Sequence, residues 1–160
     1  MSSDMYTQTK PTTRPIDTSF RTFSISDLDS ALLIEIECYP DPWTEGKFIG
    51  SLSNKNTIAN IITVGDTIVG YCFSIVCVDY ADILNICIHP DYQRMGLGSD
   101  LLDYQTEQLL VTGIKSILLE VRESNLAAML YYEKNGFEAI DRRNKYYRNG
   151  EDAIIMRQLI

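Results

Sequence analysis

Apolar positions along the chain change their spacing as it proceeds, and the changes mark out its elements. Residues 20–25 alternate apolar and polar with the period of two that a half-buried strand shows. Ser26, with Asp29 three residues on, then reads as a helix cap, and Leu28, Leu32, Leu33 and Ile36 mark one buried helical face. Pro40 and Pro42 end that helix. Thr44 caps a second, short helix carrying Phe48, Ile49 and Leu52, which Asn54 and Asn56 close. Residues 58–64 and 67–78 are rich in β-branched and aromatic side chains and meet across Gly65 and Asp66, a strong hairpin signal. Residues 81–89 supply a further strand after another tight turn, so this half of the chain is predicted to be an antiparallel meander.

The rhythm then lengthens. Residues 98–112 place Leu101, Leu102, Leu109 and Leu110 near one helical face, with Gly113 as the residue that ends the helix. Strands are predicted at 116–121, 137–143 and 152–160, with a helix over 126–135 closed by Gly136. Strand, helix, strand, helix, strand requires at least one parallel crossover. The predicted class is therefore α+β, or mixed α/β: a central, mostly antiparallel sheet of about seven strands with helices on its faces.

At 160 residues the chain is enough for one domain, assigned to 19–160. Residues 1–18 are polar and rich in Pro and Thr, which predicts a flexible N-terminal arm. No stretch has the apolar length of a signal peptide or a membrane span, so a soluble, cytoplasmic protein without a membrane partner is expected. The net charge of −8 disfavours direct nucleic-acid binding and suits a basic partner, or simply a solvated acidic surface. Cys38, Cys72, Cys77 and Cys87 form no CxxC and His89 is the only histidine, so no metal site is expected and the cysteines read as buried, reduced thiols. Oligomeric state is not fixed by these features; a monomer is compatible with them.

Residues 84–99 carry the most chemistry: an apolar strand, a Pro-containing bend, then Gly96 and Gly98 opening an amphipathic helix. Unpaired amides at a helix N-terminus, with no Cβ in the way, can cradle a diphosphate. A Gly-rich turn that only relaxes strand-to-helix geometry is the alternative. A dinucleotide fold is a second one, since Glu120 lies downstream where that fold places a ribose-binding acid. Against it, Leu101 occupies the third glycine position and three strands precede the motif.

The string from Gln93 to Gly98 resembles the Q/R-x-x-G-x-G/A loop of the GCN5-related N-acetyltransferases, and residues 124–137 are similar to that family's S/N-x-x-A-x-x-x-Y-x-x-x-G-F segment. Three further segments, 39–48, 119–125 and 142–156, resemble the branch of the family that acetylates the N-terminal alanine of a small-subunit ribosomal protein. The resemblance implies that family's fold, acetyl-CoA as cosubstrate, no metal, and a basic ribosomal protein N-terminus as acceptor.

It also implies roles. Arg94, Met95, Gly96, Leu97, Gly98 and Ser99 would face the diphosphate, with Arg94 adding charge and Ser99 a hydroxyl. The strand at Ile86, Cys87 and Ile88 would pair with the pantetheine arm and offer a main-chain N–H to the acetyl oxygen. Asn125 would contact the cofactor, and Tyr132 would lie by its sulfur as general acid. Glu120, at a strand end, would be the general base, its carboxyl raised by partial burial or assisted by a water. Trp43 and Phe48, with Tyr146 and Tyr147, would enclose the acceptor's first side chain, while Glu45 or Asp41 would attract basic residues further along. Direct transfer in a ternary complex follows, because neither Ser99 nor the single histidine makes a nucleophilic pair.

Read on the residues alone, Glu120 is also compatible with a solvated strand end or an Arg122 partner. Tyr132 is also compatible with packing against Met129 and Phe137, and Tyr131 reads as packing. The acceptor-site residues are equally compatible with a surface loop or small core. A small-molecule amine acetyltransferase and a non-catalytic acetyl-CoA-binding module are the competing functions.

Overall fold

The computed structural model describes residues 17–160. The expected arm therefore lies outside the described residues, apart from Asp17 and Thr18. Thr18 already belongs to the first strand, β1 (Thr18–Thr22), which starts two residues before the alternation predicts. The predicted tail of that strand turns instead into a helical cap. Ser24 and Asp27, not Ser26 and Asp29, form the capping box, with the Ser24 N–H donating to the Asp27 carboxylate at 2.8 Å. Arg21 donates to both oxygens of the same carboxylate at 2.7 and 2.8 Å. The Arg21 hydrogen bonds hold the Asp27 carboxyl below its usual range, so this stabilisation is present at neutral pH and is lost as acidification protonates Asp27.

Helix α1 (Leu28–Cys38) follows, and its inward face keeps Leu28 and Leu32 of the expected stripe but not Leu33 and Ile36. Leu28, Ala31, Ile34 and Glu35 are buried, whereas Leu33 and Ile36 are exposed. Four leucine and isoleucine positions had outweighed a glutamate in the sequence pattern; burial here is set by what the glutamate bonds to. Helix α2 (Glu45–Ser53) is capped as predicted by Thr44, which accepts from the Lys47 N–H at 3.2 Å, and ends at Asn54.

Strands β2 (Thr57–Val64), β3 (Thr67–Val76) and β4 (Tyr80–Ile88) form the antiparallel meander, with Gly65 at φ 58° in the hairpin turn. Helix α3 (Leu97–Leu110), strand β5 (Ser116–Arg122), helix α4 (Leu126–Lys134), strand β6 (Glu138–Arg143) and strand β7 (Ala153–Leu159) complete the chain. The seven-stranded sheet has the order β1-β2-β3-β4-β5-β7-β6, and only β4 and β5 are parallel. β7 inserts between β5 and β6 and is antiparallel to both. The predicted fold class is thus present, and the parallel crossover it requires joins β4 to β5.

Because side chains alternate across each strand, the sheet builds a core on either face. Ile62, Cys72, Leu119 and Val121 join Leu97, Leu101, Leu102 and Leu109 of α3, with Met129, Tyr131 and Tyr132 of α4 packed alongside. Ile61, Tyr71, Phe73 and Cys87 face Ala31 and Ile34 of α1 and Phe48 of α2. Gln105 fastens α3 to the sheet by accepting from Asn60 at 2.8 Å and donating to Ser74 at 2.9 Å.

Strand β4 changes faces part-way. The β3 register runs Ser74↔Ile83 and then Phe73↔Asn85, so Leu84 is an extra residue, a β-bulge. Ala81 and Ile83 point to the α3 core before it; after it Ile86 and Ile88 do, and Cys87 points to the α1 core. Pairing with β5 stops at Asp82↔Leu118, just ahead of the bulge, and the two strands diverge. Close packing at the far end of β4 leaves no room at Gly70, where a Cβ would lie 2.6 Å from the Cys87 carbonyl oxygen. Gly70→Ala is expected to cost about 3 kcal/mol through overpacking against main chain, read as a lowered midpoint in urea with an unchanged slope.

Among the described residues all four cysteines are unpaired; Cys72 and Cys87 are buried as expected, but Cys38 and Cys77 are only half-buried. No group of described residues is arranged to hold a metal ion, and no described helix is long and apolar enough to cross a membrane.

Candidate active site

The divergence of β4 and β5 opens a groove. Its two ends share Cys38, Tyr39, Ile86, Asn125, Ala128 and Tyr132, so they form one continuous channel. One end is walled by the start of α3 and by α4, the other by α1, the loop after it, and the end of β5.

At the α3 end, Gln93 donates to the Ile88 carbonyl at 2.8 Å and ties the loop back to β4. Arg94 (φ 63°) and Gly96 (φ 81°) both adopt the left-handed conformation, which turns successive N–H groups to one side as an anion nest. Gly96 is the N-cap, so the N–H groups of the first turn of α3, from Leu97 onward, have no intrahelical partner. Gln93, Arg94, Gly96, Gly98 and Ser99 line this end. Leu97 is 1% exposed and Met95 packs on the same core, so these two contribute main chain only. A Cβ on Gly98 would lie 3.2 Å from the Tyr131 hydroxyl oxygen, which is buried and has no hydrogen-bond partner. An unfilled donor beside a nest of amides, with Lys134 at the rim, fits the diphosphate and amide-rich arm of coenzyme A. Tyr131 packs on the α3 core as expected from the sequence and lines the groove as well, and Lys134 is not singled out by the sequence.

In the middle, the Ile86 carbonyl accepts from the Tyr39 hydroxyl, and that of Ile88 accepts from Gln93. Both carbonyls therefore turn away from β3, and in an extended strand the N–H of the same residue turns with them. Ile86 and Ile88 thus present main chain to the groove. Cys87 also lines the groove, but its carbonyl lies toward Gly70 of β3, so the single main-chain N–H expected from this strand comes from Ile86 or Ile88. Asn125 caps α4 by accepting from Ala128 N–H at 3.1 Å, which leaves its amide nitrogen for a ligand. The Tyr132 ring packs on Phe137 at 5.7 Å and also borders both ends of the groove, so it is core and site at once. Burial pushes its phenol well above the ordinary value, so it stays protonated.

Glu120 lines the other end. Leu119 and Val121 point into the α3 core, so Glu120 and Arg122 point to the opposite face, toward α1. Glu120 is partly buried, its side chain 31% exposed, and its Oε1 lies 3.0 Å from Arg143. Arg122 is not its partner but pairs with Glu151 at 3.4 Å. The Glu120 carboxylate lies close to the Tyr146 hydroxyl and holds that phenol above its usual range. Tyr146 itself is 48% exposed and borders neither part of the groove, so it supports Glu120 where a substrate contact was expected. Tyr147 does border it, clamped under the Arg122 guanidinium at 3.9 Å.

Trp43 and Asp41 border the acceptor end as expected. Glu45 does not: it is exposed in the first turn of α2, outside the groove. Phe48 is fully buried and serves as the centre of an aromatic core with Trp43, Tyr71 and Phe73, at ring separations of 5.2 to 5.5 Å. The groove also contains Glu35, Tyr39 and Asn85, none of which sequence patterning singled out.

Residues 28–137, which span this groove, match the profile of the acetyltransferase (GNAT) family. The chain belongs to that family. It is 37% identical over 136 residues to the [ribosomal protein bS18]-alanine N-acetyltransferase of Salmonella typhimurium, covering 83% of this chain and 91% of the relative. The enzyme of the same name from Escherichia coli K12 is 39% identical over 134 residues, covering 82% and 90%. The crystal structure of the Escherichia coli ribosomal-protein-S18-alanine N-acetyltransferase superposes with a TM-score of 0.83 at 34% identity, over 89% of this chain and 94% of that one. Ard1 from Thermoplasma volcanium shares the fold, with a TM-score of 0.84 at 24% identity over 91% and 99%.

As a GNAT acetyltransferase, the protein uses acetyl-CoA, and the Rossmann alternative falls with the meander that precedes the glycines. Tyr132 borders the groove with its phenol protonated, so it is available there as a hydrogen-bond or proton donor. Tyr132→Phe is expected to lower kcat about tenfold to a hundredfold while the Kd for acetyl-CoA stays within about twofold. Calorimetric titration alongside steady-state rates checks this, and wild-type kinetics would remove the acid role.

Proposed function

We propose that the protein acetylates the N-terminal alanine of ribosomal protein bS18 in the cytoplasm, by direct attack of the α-amine on acetyl-CoA within a ternary complex. The observation that carries this reading is the single groove in which an amide-lined cradle, Tyr132 and Glu120 follow one another toward an acceptor pocket. The names of the relatives supply the acceptor's identity. An overall charge of −8 suits a basic peptide.

The α-amine of a peptide has a pKa near ~8, so roughly a tenth is neutral at pH 7. That nitrogen attacks the acetyl carbon, and the developing oxyanion meets main-chain N–H of Ile86 or Ile88. Glu120, directly or through a water that its exposure admits, takes the proton of acceptor that arrives as ammonium and so supplies the neutral nitrogen; the proton that nitrogen sheds as the amide forms goes to solvent. As the C–S bond breaks, the thiolate takes the Tyr132 proton.

The test mixes the protein and acetyl-CoA with an Ala-initiated bS18 peptide, and separately with polyamines and aminoglycosides, and follows free thiol. Peptide turnover with the acetyl group located on the α-amine is expected. Turnover with small amines alone overturns the acceptor assignment, and acetyl-CoA binding without turnover on any amine overturns catalysis.

A further inference from the structure

We propose that Glu35 is a positioning residue for the acceptor end of the groove: its buried carboxylate fixes the main chain of the Trp43 loop and so the shape of the pocket that receives the peptide. The inference rests on the acetyl-transfer reading above.

Glu35 sits in the last turn of α1 and is 1% exposed. A carboxylate there faces the negative end of the helix dipole, so nothing within α1 favours it. Removing it from water is costly unless its oxygens are bonded. They are fully engaged. Oε1 accepts from the Trp43 N–H at 2.8 Å, and Oε2 accepts from Asn85 Nδ2 at 2.8 Å and from the Tyr71 hydroxyl. Among the described residues no lysine, arginine or histidine forms an ion pair with it.

Each donor belongs to a different part of the wall. Trp43 is in the loop between α1 and α2, Tyr71 is in β3, and Asn85 follows the β4 bulge that turns it toward α1. Glu35, Trp43 and Asn85 all border the acceptor end, and none of the three borders the diphosphate end. A carboxylate accepts from all three donors at once. A glutamine offers one acceptor oxygen and must turn its NH2 toward a donor, so at least one of the three strands of this tether is broken.

Trp43 is the only tryptophan, so its fluorescence in the full-length protein reports on this loop alone. Glu35→Gln is expected to raise the KM for the bS18 peptide about tenfold while the KM for acetyl-CoA stays within about twofold. Its tryptophan should become more accessible to acrylamide. Tyr71→Phe, which removes one donor and keeps the ring, is expected to give a smaller change in the same direction and serves if the glutamine variant does not fold. An unchanged peptide KM, or equal losses for both substrates, overturns the proposal. If the wild-type protein turns over only small amines, the acceptor reading fails, and the quenching measurement still decides Glu35: unaltered accessibility in both variants overturns it.

Discussion

Replacing Glu120 with glutamine is expected to lower the rate of acetyl transfer to a peptide α-amine about a hundredfold at pH 7, with no change in acetyl-CoA affinity. The substitution keeps shape and an acceptor oxygen for Arg143, so the loss isolates the proton step. The Glu120–Arg143 pair contributes little to folding, since both side chains reach solvent and such pairs are worth about 0–1 kcal/mol. The deficit carries a pH signature. Below the amine's pKa of about 8 most acceptor arrives protonated and needs a base to take the proton; above it the acceptor arrives neutral and the base matters less. The ratio of wild-type to variant kcat/KM should therefore be largest near pH 6 and shrink toward pH 9. A ratio near one throughout would mean that Glu120 only anchors Arg143 and Tyr146.

What the sequence made legible follows from which signals are local. The hairpin at Gly65, the Thr44 cap, the strand-to-helix turn at Gly96 and the apolar runs of β2, β3 and β5 each depend on a few adjacent residues, and each is found where expected. The Leu84 bulge is not local. Residues 81–89 read as one uninterrupted strand, yet the extra residue exchanges the faces of everything after it and sends Asn85 toward Glu35. The inward face of α1 was misread for the same reason. Its stripe is chosen by Tyr71, Asn85 and Trp43, which lie up to 50 residues away in sequence. Glu45, expected to attract basic residues further along the peptide, is turned to solvent by the start of α2, outside the groove itself.

The bulge also explains why the site lies between β4 and β5. A parallel pair that stayed together would satisfy the N–H groups of Ile86 and Ile88 with β5; divergence after Asp82 leaves those N–H groups to a ligand, while Tyr39 and Gln93 take the carbonyls. In the proposed mechanism an extended amide-bearing arm would bond to β4 as a strand does, with its sulfur toward Tyr132. The electrostatics would divide accordingly, amides and Arg94 taking the anionic end and Glu120 meeting an amine that must lose a proton.

Gly98→Leu is expected to weaken acetyl-CoA binding by at least about a hundredfold, the largest loss of affinity that a single uncharged substitution here should produce. In isolation the change favours folding, because leucine exceeds glycine in helix propensity by close to 1 kcal/mol and Gly98 lies in the first turn of α3. Its Cβ would meet the Tyr131 hydroxyl at 3.2 Å, which the flexible end of that ring can yield to by a few tenths of an ångström. The remaining atoms of the side chain have no such outlet and fill the space between α3 and α4 where the cradle opens. Gly98→Ala should therefore bind acetyl-CoA nearly as well as wild type, with the loss appearing only at the larger side chain. Isothermal titration with a melting curve for each variant separates the cases: an intact melting temperature with lost binding locates the diphosphate at this helix start. Retained affinity in the leucine variant would mean that coenzyme A enters elsewhere. Adding Tyr131→Ala to the leucine variant distinguishes the remaining cause, since recovered binding would show that a displaced α4, rather than a filled cradle, had closed the groove.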